Sequence, residues 1–365
     1  MRSGGQVIVD HLICNGVDKV FSVPGESFLG AMDAFYERSN EIKFINCRQE
    51  GSAAFMAAAY GRITGKPGVC FVTRGPGATN ASIGVHVAAK DSVPMLLFVG
   101  QVATSSTHRD AFQEIDIPAM FKPLAKWSVQ IDSADRLPEI LSRATKISTS
   151  GRPGPVVISL PENVQREIVD AGDPVFQAPI IPSTSRVQVE QFFQLVGEAE
   201  NPLIVLGSST WSEDTCQQIA DFAERSEIPV VASFRCQDRI DNDHPNYVGV
   251  LGVGTNPLLS KRIDDSDLLI MLGVELSEIV TEGFTKFTAP KMKQRLVHVH
   301  PDQAELGRIY QPDLGINSAI AGFAASISGM SLAPDVSRKT SIQELRRSYQ
   351  EFTTPGECPG DVQIG

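Results

Sequence analysis

The sequence contains no hydrophobic run long enough to cross a membrane as a helix. Such a helix needs about 18 to 20 apolar residues in succession, whereas the longest apolar segments here, Val93–Val99 and Leu268–Leu272, have the length of β-strands. The N-terminal residues MRSGGQVIVDH also lack the apolar core of a secretory signal peptide. We therefore expect no membrane partner and a cytoplasmic location.

Paired cysteines and an excess of positive charge are also missing. The six cysteines are scattered singly, without a C-x-x-C pair, which favours free thiols in a reducing compartment. Lysine and arginine number 32 against 43 aspartate and glutamate residues, so the formal net charge is −11. A negative net charge is unfavourable for binding the phosphates of nucleic acid, and no nucleic-acid partner is expected.

Metal-ligand spacing is absent as well. His298 and His300 point to one face of a predicted strand, but no further ligand type follows at a suitable distance. We interpret both histidines as strand packing and predict no metal site in this chain.

What the sequence does contain is a regular alternation of strands and helices. Strands such as Gly68–Thr73 alternate with helices such as Gln6–Gly16, a pattern typical of parallel sheets covered by helices on both faces. With 365 residues, 42% of them hydrophobic, the chain has room for two domains and part of a third. The predicted fold class is α/β, with two doubly wound parallel-sheet domains, the second of them Rossmann-like.

Proline-rich stretches mark the predicted domain boundaries. Several prolines and no sustained periodicity follow the strand Val156–Leu160, so residues 166–186 are interpreted as a linker. This linker joins an N-terminal domain, 1–165, to a central domain, 187–332. Residues 333–365 are predicted to be a second linker and the start of a further domain.

Three segments could carry chemistry. The string VTRGPGATNAS is interpreted as a strand end, a loop and the start of a helix at Ala81–Ala89, where backbone N–H groups could bind an anion or a polar heterocycle; a simple tight turn is equally compatible. Glu50 is expected at a strand-to-helix junction, where it either favours the helix dipole or faces a ligand. Phe112 and Gln113, in DAFQEIDI, could stack on and hydrogen-bond a planar ligand, or Phe112 could be a core anchor.

Taken together, these strings resemble the thiamine-diphosphate-dependent enzymes of the acetolactate synthase-like family. The matching strings are SVPGES, RQEGSAAFMAAAYGRITGKPGVCFVTRGPGATN, DSVPMLLFVGQV, DAFQEIDI and GRPGPVVISLPENVQ. They occur in one order and cover nearly the whole first segment, while the second segment resembles the family more loosely. The resemblance implies a thiamine-diphosphate-binding fold followed by a Rossmann-like domain.

The family's first domain binds the aminopyrimidine ring of thiamine diphosphate, and the resemblance assigns its indispensable glutamate to Glu50. The carboxylate would hydrogen-bond the ring nitrogen and favour the imino tautomer, which forms the cofactor ylid that attacks a 2-keto acid. Phe112 and Gln113 match residues that reach the reacting centre from the facing subunit, so a homodimer or homotetramer is implied. The cofactor-binding residues implied by the match are Val23, Pro24, Gly25, Glu50, Pro76, Gly77, Asn80 and Gln113.

Departures from the family pattern shape the expected reaction. The family's decarboxylases of the pyruvate type carry adjacent histidines before the Phe-Gln match, whereas this sequence has His108 alone. We therefore expect a carboligase or lyase acting on 2-keto acids, with a 2-keto acid decarboxylase as the alternative. The flavin-binding histidine and arginine of the family are replaced in LGVGT and GVELSE, although Arg152, matching another flavin contact, remains. Tightly bound FAD is not expected.

The family's Mg²⁺-binding G-D-G motif does not occur in the chain. The resemblance places Mg²⁺ and the cofactor's diphosphate in a third domain, whose opening the final residues GDVQIG resemble. We therefore expect a chain with only the pyrimidine side of the site and no activity by itself. The competing hypothesis is a non-catalytic fragment that assembles with or regulates a complete partner.

Overall fold

A computed structural model describes residues 1–208, 211–333 and 336–356. The chain divides into two compact units, Met1–Ile180 and Ile181–Gly365. This division falls within the stretch that the sequence predicts as a linker, and the predicted bounds of the domains stay a prediction. In the part of the chain that the structure describes, no helix is both long enough and apolar enough to cross a membrane.

The first unit alternates strands with helices along almost its whole length. Its strands are β1 (Arg2–Ser3), β2 (Lys19–Ser22), β3 (Lys43–Asn46), β4 (Gly68–Val72), β5 (Met95–Gln101), β6 (Trp127–Gln130), β7 (Pro155–Pro161) and β8 (Ile168–Val169). Its helices are α1 (Gly4–Cys14), α2 (Leu29–Glu37), α3 (Glu50–Thr64), α4 (Pro76–Lys90), α5 (Ile117–Phe121), α6 (Leu137–Thr149) and α7 (Glu162–Arg166).

Six of these strands form one parallel sheet in the order β3-β2-β4-β5-β7-β6. Aromatic residues fill one face, where Phe71 stacks on Phe98 with their ring centroids 4.4 Å apart. On the other face, Ala53, Ala54 and Ala57 of α3 are completely buried. Helices can approach a sheet face closely where side chains are this small, so the alanine-rich sequence determines how near α3 lies to the strands.

The second unit repeats the architecture. Its helices are α8 (Arg186–Glu198), α9 (Glu213–Arg225), α10 (Pro257–Asp264), α11 (Ile320–Ile327) and α12 (Val336–Thr353). Its strands are β9 (Pro202–Leu206), β10 (Val230–Ser233), β11 (Tyr247–Leu251), β12 (Leu268–Leu272), β13 (Arg295–His300) and β14 (Leu314–Asn317). They form a parallel six-stranded sheet in the order β11-β10-β9-β12-β13-β14. The predicted fold class, two doubly wound parallel sheets, is confirmed.

The predicted start of α4 is wrong. The sequence analysis treats RGPGATN as a loop and begins the helix at Ala81, whereas α4 begins at Pro76. Gly75 precedes it with a φ of 57°, and proline fits the first helical turn because its missing N–H has no partner there anyway. Five of the seven residues expected in a loop, Pro76 to Asn80, therefore lie on the first turn and a half of a helix.

Helix α1 also begins earlier than predicted, at Gly4 instead of Gln6. Ser3 and Gln6 form a reciprocal capping box, in which the Ser3 hydroxyl accepts from the Gln6 N–H and the Gln6 side chain accepts from the Ser3 N–H. Two glycines in succession have low helix propensity, which obscures this start in the sequence. The cap and tertiary packing outweigh that propensity.

Regular structure occurs in both segments that the sequence analysis interprets as linkers, after residue 165 and after residue 333. The helix that the string SIQELRRSYQEF indicates is confirmed as part of α12. Strand β8 pairs antiparallel with β1, so the first part of the predicted linker is joined to the first unit. Helix α12 packs against β11 of the second unit, with the rings of Tyr247 and Tyr349 5.2 Å apart. The final string GDVQIG lies outside the described residues.

Candidate functional site

Three segments that the sequence singles out meet at one edge of the first sheet. Strands β3, β2 and β4 are parallel neighbours, so their carboxyl ends share an edge, which is where open α/β sheets bind ligands. Strand β2 leads into Val23–Gly25, β3 leads into Arg48–Glu50, and β4 leads into Thr73–Gly77. The topology thereby gathers segments that are far apart in the sequence.

Glu50 is the first residue of α3 and is half-buried. Gln49 caps the helix, since its side-chain oxygen accepts from the Ser52 N–H at 2.8 Å. A carboxylate at this position also interacts favourably with the positive end of the helix dipole. The cap and the dipole together hold the Glu50 backbone at the edge of the sheet.

Asn80 contacts the Glu50 carboxylate directly. Its Nδ2 donates to Glu50 Oε2 across 2.9 Å. Among the described residues, the structure gives Glu50 Oε1 no hydrogen-bond partner, which leaves this oxygen available to a ligand. Sequence reasoning selected both residues but did not predict the bond between them.

Close packing of α3 against α4 makes this contact possible. A Cβ added to Gly84 would lie 2.4 Å from the Cβ of Ala54, and a Cβ on Gly51 would lie 3.2 Å from the backbone oxygen of Asn80. Any larger side chain at these glycines would push the helices apart. The separation of the Glu50 and Asn80 side chains therefore depends on residues that touch neither of them.

The segments after β2 and β4 also touch each other. The Ser27 and Thr73 hydroxyls are hydrogen-bonded at 2.8 Å, and a Cβ on Gly25 would lie 2.7 Å from the Thr73 Cβ. Gly77 is buried, with room for no larger residue beside Thr73. Val23 is half-buried, while Pro24 and Pro76 are exposed at this edge.

Gln165 is a supporting residue that sequence reasoning missed. Its side chain is buried; Nε2 donates to the Ser27 carbonyl at 2.8 Å, and Oε1 accepts from the Ala31 N–H at 3.2 Å. It thereby joins the end of β7 to the segment that follows Val23–Gly25. The available signal was its place at the end of the string GRPGPVVISLPENVQ.

Phe112 and Gln113 lie in the segment between β5 and α5. The Gln113 backbone contacts Gly75, since a Cβ on Gly75 would lie 2.8 Å from the Gln113 backbone oxygen. The Phe112 side chain is 76% exposed, which contradicts its reading as a core anchor. Both residues are therefore brought to the start of α4 within one chain.

Arg74 attaches this segment to the β4 end. Its Nε donates to the Phe112 carbonyl at 3.0 Å, and its Nη1 pairs with Glu162 Oε1 at 2.6 Å. Sequence reasoning did not select Arg74, although a charged residue within a glycine- and proline-rich turn was a visible signal.

Two further groups of predicted residues have structural partners. The Arg152 guanidinium donates to the Ser92 hydroxyl and to the Ala89 carbonyl near the end of α4. His298 Nε2 lies 2.9 Å from the Val274 carbonyl, and burial lowers the pKa of His298 to about 4. Across the residues that the structure describes, no group of three or more His, Cys, Asp or Glu side chains could hold a metal ion.

A carboxylate on a helix start at the carboxyl edge of a parallel sheet, followed by a second doubly wound unit, defines a class of α/β cofactor-binding proteins. Residues 2–120 match the N-terminal TPP binding domain of thiamine pyrophosphate enzymes, and residues 189–327 match their central domain. The chain therefore belongs to the thiamine pyrophosphate enzyme family, and the resemblance predicted from its sequence is confirmed.

Within this family the chain is similar to acetolactate synthases. It is 35% identical to the acetolactate synthase of Arthrospira platensis, over 86% of this chain and 56% of the relative. It is 33% identical to a probable acetolactate synthase large subunit of Methanocaldococcus jannaschii, over 86% and 53% respectively. It is 31% identical to the acetolactate synthase isozyme 2 large subunit of Escherichia coli, over 86% and 56%. The chain spans about half the length of these relatives.

Proposed function

We propose that this chain supplies the pyrimidine side of a thiamine-diphosphate site in a carboligase or lyase acting on 2-keto acids, as acetolactate synthases do. The observation that carries the proposal is the Glu50–Asn80 contact at the carboxyl edge of the first sheet, at 2.9 Å. It presents a carboxylate with one oxygen engaged and the other available to a ring nitrogen.

The residues at this edge fit an aminopyrimidine. Glu50 Oε1 would hydrogen-bond the ring nitrogen, while Asn80 holds Oε2 and so fixes the direction of the carboxylate. When bound, thiamine diphosphate supplies a nucleophilic carbon and an electron sink. The part of Glu50 is to hold or release the proton at the ring nitrogen.

The remaining predicted site residues would surround the ring. Val23, Pro24 and Gly25 lie on the segment that contacts Thr73, and Pro76 and Gly77 lie on the first turn of α4. Phe112 and Gln113, attached beside Gly75, would face the reacting carbons of the substrate.

We further propose that the working form is a homodimer or homotetramer. Helices α3 and α4 carry exposed apolar side chains, among them Phe55, Met56, Ile63 and Ile83, and exposed patches of this kind are typical of protein interfaces. These exposed residues lie on the same two helices as Glu50 and Asn80, which supports a site completed by a second copy.

Two cofactor assignments remain part of the proposal. Mg²⁺ would be held by residues other than those described, because the sequence has no G-D-G motif. Tightly bound FAD is not expected, and the engagement of Arg152 with Ser92 and Ala89 supports this.

Saturation-transfer NMR with thiamine diphosphate tests the proposal. With the wild-type chain, we expect a saturation-transfer signal from the methyl and ring protons of the cofactor's pyrimidine. In Glu50→Gln, we expect a clear loss of this signal. The control is Glu139→Gln, an exposed carboxylate on α6 that pairs with Arg136, and it should behave as wild type. Equal saturation in wild type and Glu50→Gln would contradict the proposal.

A further inference from the structure

The segment that carries Phe112 and Gln113 has an energetically unfavourable backbone. Three of its non-glycine residues adopt left-handed conformations: His108 with a φ of 65°, Asp110 with 56° and Gln113 with 63°. Each such residue costs free energy, and such conformations persist only where surrounding contacts hold them. The contacts of this segment therefore decide where Phe112 and Gln113 lie.

The base and the interior of the segment are held separately. At the base, Gln101 Nε2 donates to the Ile115 carbonyl at 2.8 Å, and the Thr104 N–H donates to Asn163 Oδ1 at 2.9 Å. Inside the segment, the Glu114 carboxylate accepts from the backbone N–H groups of His108 and Ala111, at 2.7 and 3.0 Å. These bonds shape residues 105–114 without joining them to the sheet edge.

One hydrogen bond makes that connection. Among the described residues, the bond from Arg74 Nε to the Phe112 carbonyl is the one that joins residues 105–114 to any residue outside 103–116. The Arg74 side chain is only 11% exposed, and Glu162 holds its other end. Burial of Phe112 cannot replace this bond, because its side chain is mostly exposed.

We propose that Arg74 is a positioning residue that latches the Phe112–Gln113 segment onto the start of α4. The inference rests on the proposed function, in which these two side chains face the substrate. In this role Arg74 acts through its hydrogen bond to the Phe112 carbonyl and its ion pair with Glu162. A guanidinium suits this task because its planar fork donates in two directions at once, which a lysine ammonium does not reproduce.

Limited tryptic digestion of the whole chain tests the latch without any cofactor. Arg109 is exposed within the segment, so cleavage after Arg109 reports how often the segment opens. In Arg74→Ala we expect cleavage there to be about tenfold faster, the effect of losing one charge-assisted hydrogen bond. Adding ethylguanidinium should slow cleavage after Arg109 more than cleavage after Arg143. The comparison between the two sites is needed because a guanidinium also occupies the specificity pocket of trypsin itself.

Two variants and a reference site make the result decisive. Cleavage after Arg109 should be faster in Arg74→Lys than in wild type. In Arg136→Ala, which removes an exposed ion pair with Glu139, it should proceed at the wild-type rate. Cleavage after Arg109 at the wild-type rate in Arg74→Ala would overturn the proposal. An equal acceleration after Arg143 of α6 would also overturn it, because the effect would then be general and not local.

The same variants separate this inference from the proposed function. If Arg74→Ala opens the segment but wild type gives no saturation-transfer signal with thiamine diphosphate, the latch stands and the proposed function fails. If the signal is present and cleavage is unchanged, the proposed function stands and the latch fails.

Discussion

At the scale of single residues, hydrogen bonds fix the orientation of the polar groups at the site. Glu50 is held by Asn80, Ser27 by Thr73, and the Phe112 carbonyl by Arg74. The first and last of these hydrogen bonds are exposed and the second is partly buried; such bonds contribute modestly to stability, but they restrict geometry. Their effect on binding and rate should therefore exceed their effect on folding.

Glu50→Gln tests the proton-handling role directly. If the proposed function holds, we expect Glu50→Gln in any complete form of the enzyme to slow exchange of the thiazolium C2 proton by at least about 100-fold, the scale of a lost general acid–base group. The amide preserves the size of the side chain, but it carries no charge and cannot exchange a proton with the ring nitrogen. Proton NMR in D₂O measures the exchange, and a wild-type rate would contradict the role.

Asn80→Asp tests the contact between Asn80 and Glu50. It would place a second carboxylate 2.9 Å from Glu50 Oε2, so charge repulsion should displace the Glu50 side chain. We expect the saturation-transfer signal of thiamine diphosphate to fall further in Asn80→Asp than in Asn80→Ala. Both variants remove the Asn80 Nδ2 donor, and only Asn80→Asp adds a negative charge. Equal losses of signal in the two variants would argue against a specific contact between residue 80 and Glu50.

His11 makes the stability of the first unit depend on pH. Burial lowers the pKa of His11 to about 4, well below its ordinary 6.5, so the unfolded chain binds a proton first as the pH falls. The contribution of neutral His11 to the free energy of unfolding is therefore fully present above pH 6.5. It decreases by about 1.4 kcal/mol per pH unit as the pH falls toward 4.

Urea unfolding at pH 7 and pH 5 checks this dependence. His11→Gln retains a side chain able to reach the Thr145 hydroxyl, which lies 2.9 Å from His11 Nε2, and should lose less stability between the two values than wild type. The exposed His86→Gln is the matched control and should show the wild-type difference. If His11→Gln has the wild-type slope, His11 is not the titrating group.

At the scale of secondary-structure elements, the α3–α4 pair is the critical packing unit. The two helices follow β3 and β4, which lie on either side of β2 in the sheet, and their first turns carry Glu50 and Pro76. Small residues let them approach closely, so the pair both completes the core and determines the spacing of the site.

Gly84→Ala tests this packing. The added methyl would lie 2.4 Å from the Ala54 Cβ, and overpacking of this kind typically costs about 1–3 kcal/mol. Gly197→Ala is the control, since a Cβ there meets nothing within 4 Å and helix propensity predicts a gain of about 0.5–1 kcal/mol. Thermal unfolding distinguishes the two, and a stabilised Gly84→Ala would contradict the close approach.

At the scale of the whole molecule, two doubly wound units follow one another in the chain, and each has its own core. The matches to the N-terminal and central domains fall in different units. The proposed site belongs to the first unit, and its exposed apolar patch gives a measurable prediction about assembly.

Met56→Glu should weaken self-association. A charge in the patch formed by Phe55, Met56, Ile63 and Ile83 would have to be desolvated in any interface there. Light scattering after gel filtration should show a smaller species than wild type. The control is Val187→Glu, a charge on an exposed apolar residue of α8, which should leave the mass unchanged; an unchanged mass in Met56→Glu would place the interface elsewhere.

The fold class was predictable because hydrophobic periodicity is local information. Strands such as Gly68–Val72 and Arg295–His300 are short, apolar and bounded by turn residues, so they appear in a single sequence. The start of α4 was less predictable, because Gly75 and Pro76 are typical of turns as well as of helix starts. The strand Tyr247–Leu251 was not predicted: it lies at the edge of its sheet, and Gly249, with a φ of 126°, interrupts its short apolar run.

The sequence by itself determined the α/β class, the family and the identity of Glu50, Asn80, Phe112 and Gln113 as candidates, since these depend on residue types in a fixed order. Only the tertiary structure decided that Asn80 donates to Glu50, that Gln165 supports the segment after β2, and that Arg74 latches the Phe112–Gln113 segment. Each of these contacts joins residues 30 to 138 positions apart. Such distances in the chain are closed by the parallel strand order and by helix packing, which no local pattern of residues encodes.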